Sequence, residues 1–140
     1  MEEVSLTSLK GALTEKGRIL TGVFKSEAEK VKGCGAFSKF LAAGFEVFHV
    51  GINVKSSVFI QQMKRFSPQV VILLCQGNIN GVKQLIETIK EEGMRSMARI
   101  ILYGININES VRDEVHADAY AENEKELFDI VNEIMSETFF

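Results

Sequence analysis

Six consecutive apolar residues, Val70-Val71-Ile72-Leu73-Leu74-Cys75, stand between Pro68 and the polar turn Gln76-Gly77-Asn78. The run is strand-length and far short of a membrane span. It shows no polar alternation, so neither face of such a strand meets water. A strand covered on both faces belongs in a parallel sheet with helices above and below, and this one is expected near its centre.

The rest of the chain fits that frame. Ile19-Leu20-Thr21-Gly22-Val23-Phe24 reads as the first strand and Phe45 to Gly51 as the second. Ala98 to Tyr103 reads as the fourth and Ala119-Tyr120 as a minimal fifth. Between them the apolar period changes to that of a helix. Residues 36–43 place Phe37, Phe40 and Leu41 on one stripe, with Gly44 as the stop. Ser56 or Ser57 is the expected N-cap of a helix that turns Val58, Phe59, Met63 and Phe66 inward and ends before Pro68. Val82, Leu85, Ile86 and Ile89 mark a third helix, with Gly93 beyond it. Glu109 to Val115 forms a short fourth. Glu124 to Met135 closes the chain, with Leu127, Phe128, Ile130, Val131 and Ile134 on a broad apolar face. Strands alternating with helices through short loops imply right-handed βαβ units. Five such strands predict an α/β, flavodoxin-like (Rossmann-like) doubly wound parallel sheet of order 2-1-3-4-5, with helices on both faces.

Residues 17–140 are expected to form one domain. Residues 1–16 are polar, but Leu6, Leu9 and Leu13 recur at helical spacing, so a frayed tail and a short amphipathic helix both remain open. With 46% apolar and 25% charged residues the composition is that of an ordinary globular domain. The net charge of -3 and the lack of a long Lys/Arg run disfavour nucleic acid. Met1-Glu2-Glu3 is acidic where a signal peptide is basic, so no membrane association and a cytoplasmic location are expected. Cys34 and Cys75 form no metal or disulfide motif by spacing and read as small buried hydrophobes.

In an open α/β sheet a ligand sits at the carboxyl ends of the strands, where the winding reverses. The stretch Gly22 to Gly35, with its polar, glycine-bearing loop, falls there, as do Cys75 and the Gln76 turn. Glu27 and Glu29 lie among Lys25, Lys30 and Lys32, and a solvated charge cluster explains them better than an acid/base pair or a hard-metal site. His49 reads as a strand-end residue and His116 carries no chemistry. No nucleophile, base and orienter group points to a stand-alone enzyme.

From about Gly17 to Met135 the chain resembles the cobalamin (B12)-binding domain of methionine synthase, corrinoid methyltransferase proteins and the small subunits of B12-dependent mutases. The residues that carry the likeness are Leu41-Ala42-Ala43-Gly44-Phe45-Glu46-Val47 followed by Gly51, Val70-Val71, Ile86 to Gly93, and Ala117-Asp118-Ala119-Tyr120-Ala121. These are mostly scaffold positions. The Gln76-Gly77-Asn78-Ile79-Asn80 loop also resembles a Gln-Gly loop of the glutamate mutase small subunit.

The resemblance implies three cobalamin motifs, and this chain departs from each. At the Asp-x-His-x-x-Gly motif, whose His coordinates cobalt, the aligned residues are Glu27, Glu29 and Lys32. At the serine that hydrogen-bonds the buried nucleotide tail stands Leu74. At the Gly-Gly pair that makes room for the tail stands Tyr103-Gly104. The positions lining the implied crevice are therefore Glu27, Glu29, Lys32, Leu74, Gln76, Gly77, Tyr103 and Gly104, with the motifs degenerate. A carboxylate is a harder ligand than imidazole, so cobalamin in the usual His-on mode is not expected. The preferred expectation is a binding or regulatory module, or a partner, in a corrinoid system. The alternatives are a corrinoid carrier subunit of a methyltransferase or mutase with base-on or atypical ligation, and a haem or small-molecule sensor. A methyltransferase or mutase subunit, or a second copy of the chain, is the expected partner.

Overall fold

The structure, a computed structural model, describes residues 17–26, 35–104 and 107–138. The elements follow in the order β1 (Arg18–Lys25), α1 (Gly35–Ala42), β2 (Glu46–Ile52), α2 (Ser56–Phe66), β3 (Val70–Gln76), α3 (Ile79–Glu91), β4 (Arg99–Tyr103), α4 (Glu109–Val115), β5 (Ala119–Ala121) and α5 (Glu124–Thr138). The five strands form one sheet of order β2-β1-β3-β4-β5, and every neighbouring pair is parallel. Residues 1–16 and Phe139-Phe140 lie outside the described residues.

Burial explains why β1 and β3 are central. Val70 to Cys75 are all buried, as are Ile19 to Phe24. Alternate residues feed two apolar layers. Leu20, Phe24 and Leu73 meet Phe59 and Met63 of α2, Leu85 and Ile86 of α3, and Val115 of α4. Ile19, Ile72 and Ile101 meet Phe40 of α1 and Leu127 and Val131 of α5. On that second side Phe40 is set edge-on to Phe45, centroids 5.5 Å apart, and stacked on Phe128 at 5.2 Å.

Several local expectations need correction. The residue before α2 with extended backbone is Lys55 (φ -65°, ψ 147°), and no side chain caps that helix, so neither Ser56 nor Ser57 is its N-cap. Val58 is 39% exposed while Phe59, Ile60 and Met63 face inward. The rotation follows from Gly22 on β1, whose missing Cβ leaves a slot for the Phe59 ring. Leu41 is 55% exposed, because Phe40 takes the inward position of α1. Phe37 and Phe66 are only partly buried.

The β1–β2 register slips between Thr21↔His49 and Val23↔Ile52. Gly51 absorbs the extra residue at φ +147°, a conformation costly to any residue with a side chain. At the opposite end of the sheet Gln69 laces three strands. Its side-chain oxygen accepts from the Arg18 amide at 2.6 Å, its own amide donates to Arg18, and its carbonyl accepts from Arg99. No helix among the described residues is long and apolar enough to cross a membrane.

Candidate functional site

The carboxyl ends of β1 and β3 are held together beyond the ladder itself. Lys25 and Gln76 are register partners, the Ser26 amide donates to the Gln76 carbonyl at 3.0 Å, and Lys25 forms an isolated antiparallel bridge with Gly77. The bulge in β2 delivers Asn53 to the same place. Asn53 has φ 47°, a left-handed conformation that Asn tolerates better than most residues. Its amide donates to the Val23 carbonyl at 2.7 Å. Its side chain accepts from the Lys25 amide at 3.0 Å and donates to the Lys25 carbonyl at 2.9 Å. The Asn78 side-chain amide in turn donates to Asn53 Oδ1 at 3.0 Å, while Asn78 Oδ1 accepts from the Gly81 amide and so caps α3. Two asparagines thus join the exits of β1, β2 and β3.

On the side of the sheet covered by α2 and α3, a cavity of about 460 Å³ opens above this lattice. Phe24, Asn53, Val54, Lys55, Ser56, Ser57, Asn78, Gly81 and Gln84 line it. Lys55 is the only charged residue among them.

The other side, under α1 and α5, is filled differently. Ile52, Val23, Leu74, Tyr103 and Ala121 are in register across all five strands. Leu74 is 3% exposed, and Tyr103 packs partly buried against the cluster that contains Phe40 and Leu127. One strand repeat beyond Leu74, toward the crevice, stands Gln76. Its Oε1 is buried and has no hydrogen-bond partner. Gly104 lies next to the β3 exit: its amide donates to the Ala121 carbonyl, and a Cβ there would run into the Cys75 carbonyl oxygen. The missing side chain at Gly104 therefore serves the packing of β3 against the β4 exit.

Two further groups flank this region. His49 is mid-strand rather than at a strand end. Its Nδ1 shares a 2.8 Å hydrogen bond with the hydroxyl of fully buried Thr21, and its ring lies against Phe37. Burial pushes the Cys75 thiol above its ordinary pKa, and a hydrogen bond from the Gly77 backbone only partly offsets this. Among the described residues no three His, Cys, Asp or Glu side chains group as metal ligands.

Comparison with known proteins agrees with this architecture. No protein-family model matches the chain. Dimethylamine corrinoid protein 2 of Methanosarcina mazei is 29% identical over 119 residues, which cover 83% of this chain and 56% of that protein. A solved cobalamin-binding protein from Desulfitobacterium hafniense superposes with a TM-score of 0.79 at 23% identity, covering 86% of this chain and 60% of the other. A methanol:cobalamin methyltransferase complex from Methanosarcina barkeri gives a TM-score of 0.72 at 16% identity, covering 86% of this chain and 47% of the matched one. The chain is a homologue of the B12-binding-domain proteins. It spans about half the length of the curated relatives it matches most strongly.

In this B12-binding-domain homologue the implied crevice positions divide in two. Leu74, Gln76, Gly77, Tyr103 and Gly104 come together at the exits of β3 and β4. Glu27, Glu29, Lys32 and Cys34 lie outside the described residues. The Asn53–Asn78 lattice and the cavity beside Lys55 are features the residue pattern did not disclose. The one available signal was an asparagine following a strand, a residue type suited to left-handed backbone.

Proposed function

We propose that this chain is a B12-binding-domain-like module that does not take cobalamin through an axial histidine, and that it works as a binding or regulatory module, or as a partner, in a corrinoid system. The Leu74–Tyr103 pair carries the proposal. In the resembled family the nucleotide tail enters where a serine offers a hydrogen bond and paired glycines leave space. Leu74 offers no hydrogen bond, and Tyr103 brings a phenol to the adjacent register position. By sequence, Glu29 stands where the cobalt-binding His is expected, and a carboxylate suits harder metal ions. These residues do not fit tail-bearing cobalamin in that mode.

A second reading has support of its own. The curated relatives are named corrinoid proteins and one structural neighbour is a cobalamin methyltransferase complex, which favours a corrinoid carrier with atypical ligation, paired with a methyltransferase subunit. A visible-absorption titration of the purified chain with hydroxocobalamin, methylcobalamin and hemin separates the readings. Unchanged spectra with all three are expected. A saturable shift of the corrin bands overturns the proposal in favour of the carrier, and a shift of the haem band favours a sensor. The combined Glu27→Asp, Glu29→His, Lys32→Gly and Tyr103→Gly variant is expected to gain hydroxocobalamin affinity. No gain would mean that the listed positions are not what excludes the cofactor.

A further inference from the structure

Among the described residues Gln76 Oε1 is the only buried side-chain polar atom without a hydrogen-bond partner. Such atoms are uncommon in folded proteins, because an acceptor removed from water and left unpaired opposes folding. The backbone around it is well fixed: the Gln76 carbonyl accepts from the Ser26 amide, and Gln76 is in register with Lys25. The unmet demand is confined to the side chain, and it sits at the mouth of the candidate crevice.

We infer that Gln76 is a ligand-facing residue and that the ligand it suits is a corrinoid lacking the nucleotide tail. This deepens the proposed function and rests on it. A primary carboxamide is the natural complement of the Gln76 side chain. It supplies an N–H to the buried oxygen, and should the glutamine amide be turned end for end, it supplies an oxygen to the buried NH₂ instead. A corrin ring carries primary carboxamides around its rim. Below Gln76 on the same face, Leu74 and Tyr103 occupy adjacent register positions. A rim carboxamide can therefore reach Gln76 from the open carboxyl edge, whereas a nucleotide tail would have to displace the leucine and the phenol. Gln76 is itself only partly covered, so its amide can turn toward the edge.

The test is an absorption titration with dicyanocobinamide, which has no tail, and with cyanocobalamin, which has one. It compares the wild-type chain with Gln76→Met and Gln76→Leu, and thermal unfolding is followed without ligand. Saturable binding of dicyanocobinamide, at least about tenfold tighter than of cyanocobalamin, is expected. Each variant should weaken it about tenfold, equivalent to about 1.4 kcal/mol. Each should also raise the ligand-free Tm, because the unpaired oxygen is gone. Absence of dicyanocobinamide binding, unaltered binding in both variants, or a lowered ligand-free Tm overturns the inference and leaves the absence of His-on cobalamin standing. Equal binding of the two corrinoids overturns the proposed function itself, since the tail would then be accommodated.

Discussion

Replacing Gly22 by alanine tests the packing that sets α2 on the sheet. An alanine Cβ at this position lies 2.6 Å from Phe59 Cε2 and 3.5 and 3.6 Å from two further atoms of the ring. Carbon atoms in contact prefer about 3.5–4.0 Å, so the closest pair overlaps by roughly 1 Å. Phe59 is fully buried and lies against Phe24, with ring centroids 6.5 Å apart, so the ring has no free direction in which to yield. Overpacking of this kind costs about 1–3 kcal/mol. Removing a glycine from a strand returns roughly 0.5–1 kcal/mol. The expected net loss is about 1–2 kcal/mol, a fall in Tm of roughly 3–6 °C for a domain of this size. Urea unfolding should show a lower midpoint with an unchanged m-value. In a Gly22→Ala, Phe59→Leu double-mutant cycle the alanine should become nearly neutral, because the smaller side chain vacates the slot. A neutral or stabilising Gly22→Ala in the wild-type background would refute the slot as the cause of the helix rotation.

Two other outcomes follow from the site. Asn53→Ala removes three side-chain hydrogen bonds and places a less suitable residue at φ 47°, so a loss of about 1–2 kcal/mol is expected; Asn53→Gly should recover the backbone share, and hydrogen exchange at the Lys25 amide should quicken in both. For Cys75, burial raises the thiol pKa in the folded state, so ionisation favours the unfolded chain. Its contribution to stability is complete below the unfolded thiol's value of 9.0 and is lost as pH rises through the folded-state value. In a Cys34→Ser background the denaturation midpoint should therefore drop from about pH 8 to about pH 10, with a flatter profile after Cys75→Val; an identical profile in the two proteins would remove the thiol as the cause.

The order of the sheet was readable because β1 and β3 are apolar on both faces, which leaves a buried parallel strand as the simplest solution. Helix α3 was equally clear, since Val82, Leu85, Ile86 and Ile89 follow one stripe and all four are buried. The rotation of α1 and α2 was not. In each, an apolar residue stands beside another apolar residue, Phe40 next to Leu41 and Val58 next to Phe59, and only the partner across the interface decides which turns inward. The crevice could be located from the strand exits, yet its construction could not. Asn53 meets Lys25 across 28 positions of sequence, and the bulge that brings it there depends on β2 pairing with β1. Nor could residue identity reveal that Gln76 would bury an oxygen without giving it a partner.

The central pairing of β1 with β3 has a consequence for the order of events during synthesis. Arg18 and Gln69, joined at the start of these strands, are 51 residues apart, with the β2 segment between them. The nascent chain therefore emerges as an edge pair, β1 with β2, whose inner partner has yet to be translated. Contacts over such separations form late, and an unpaired apolar strand is exposed to association while it waits. The sheet can close only after Gln76 has left the ribosome, so a pause in translation before that codon would prolong the aggregation-prone interval, and a pause placed after it would not.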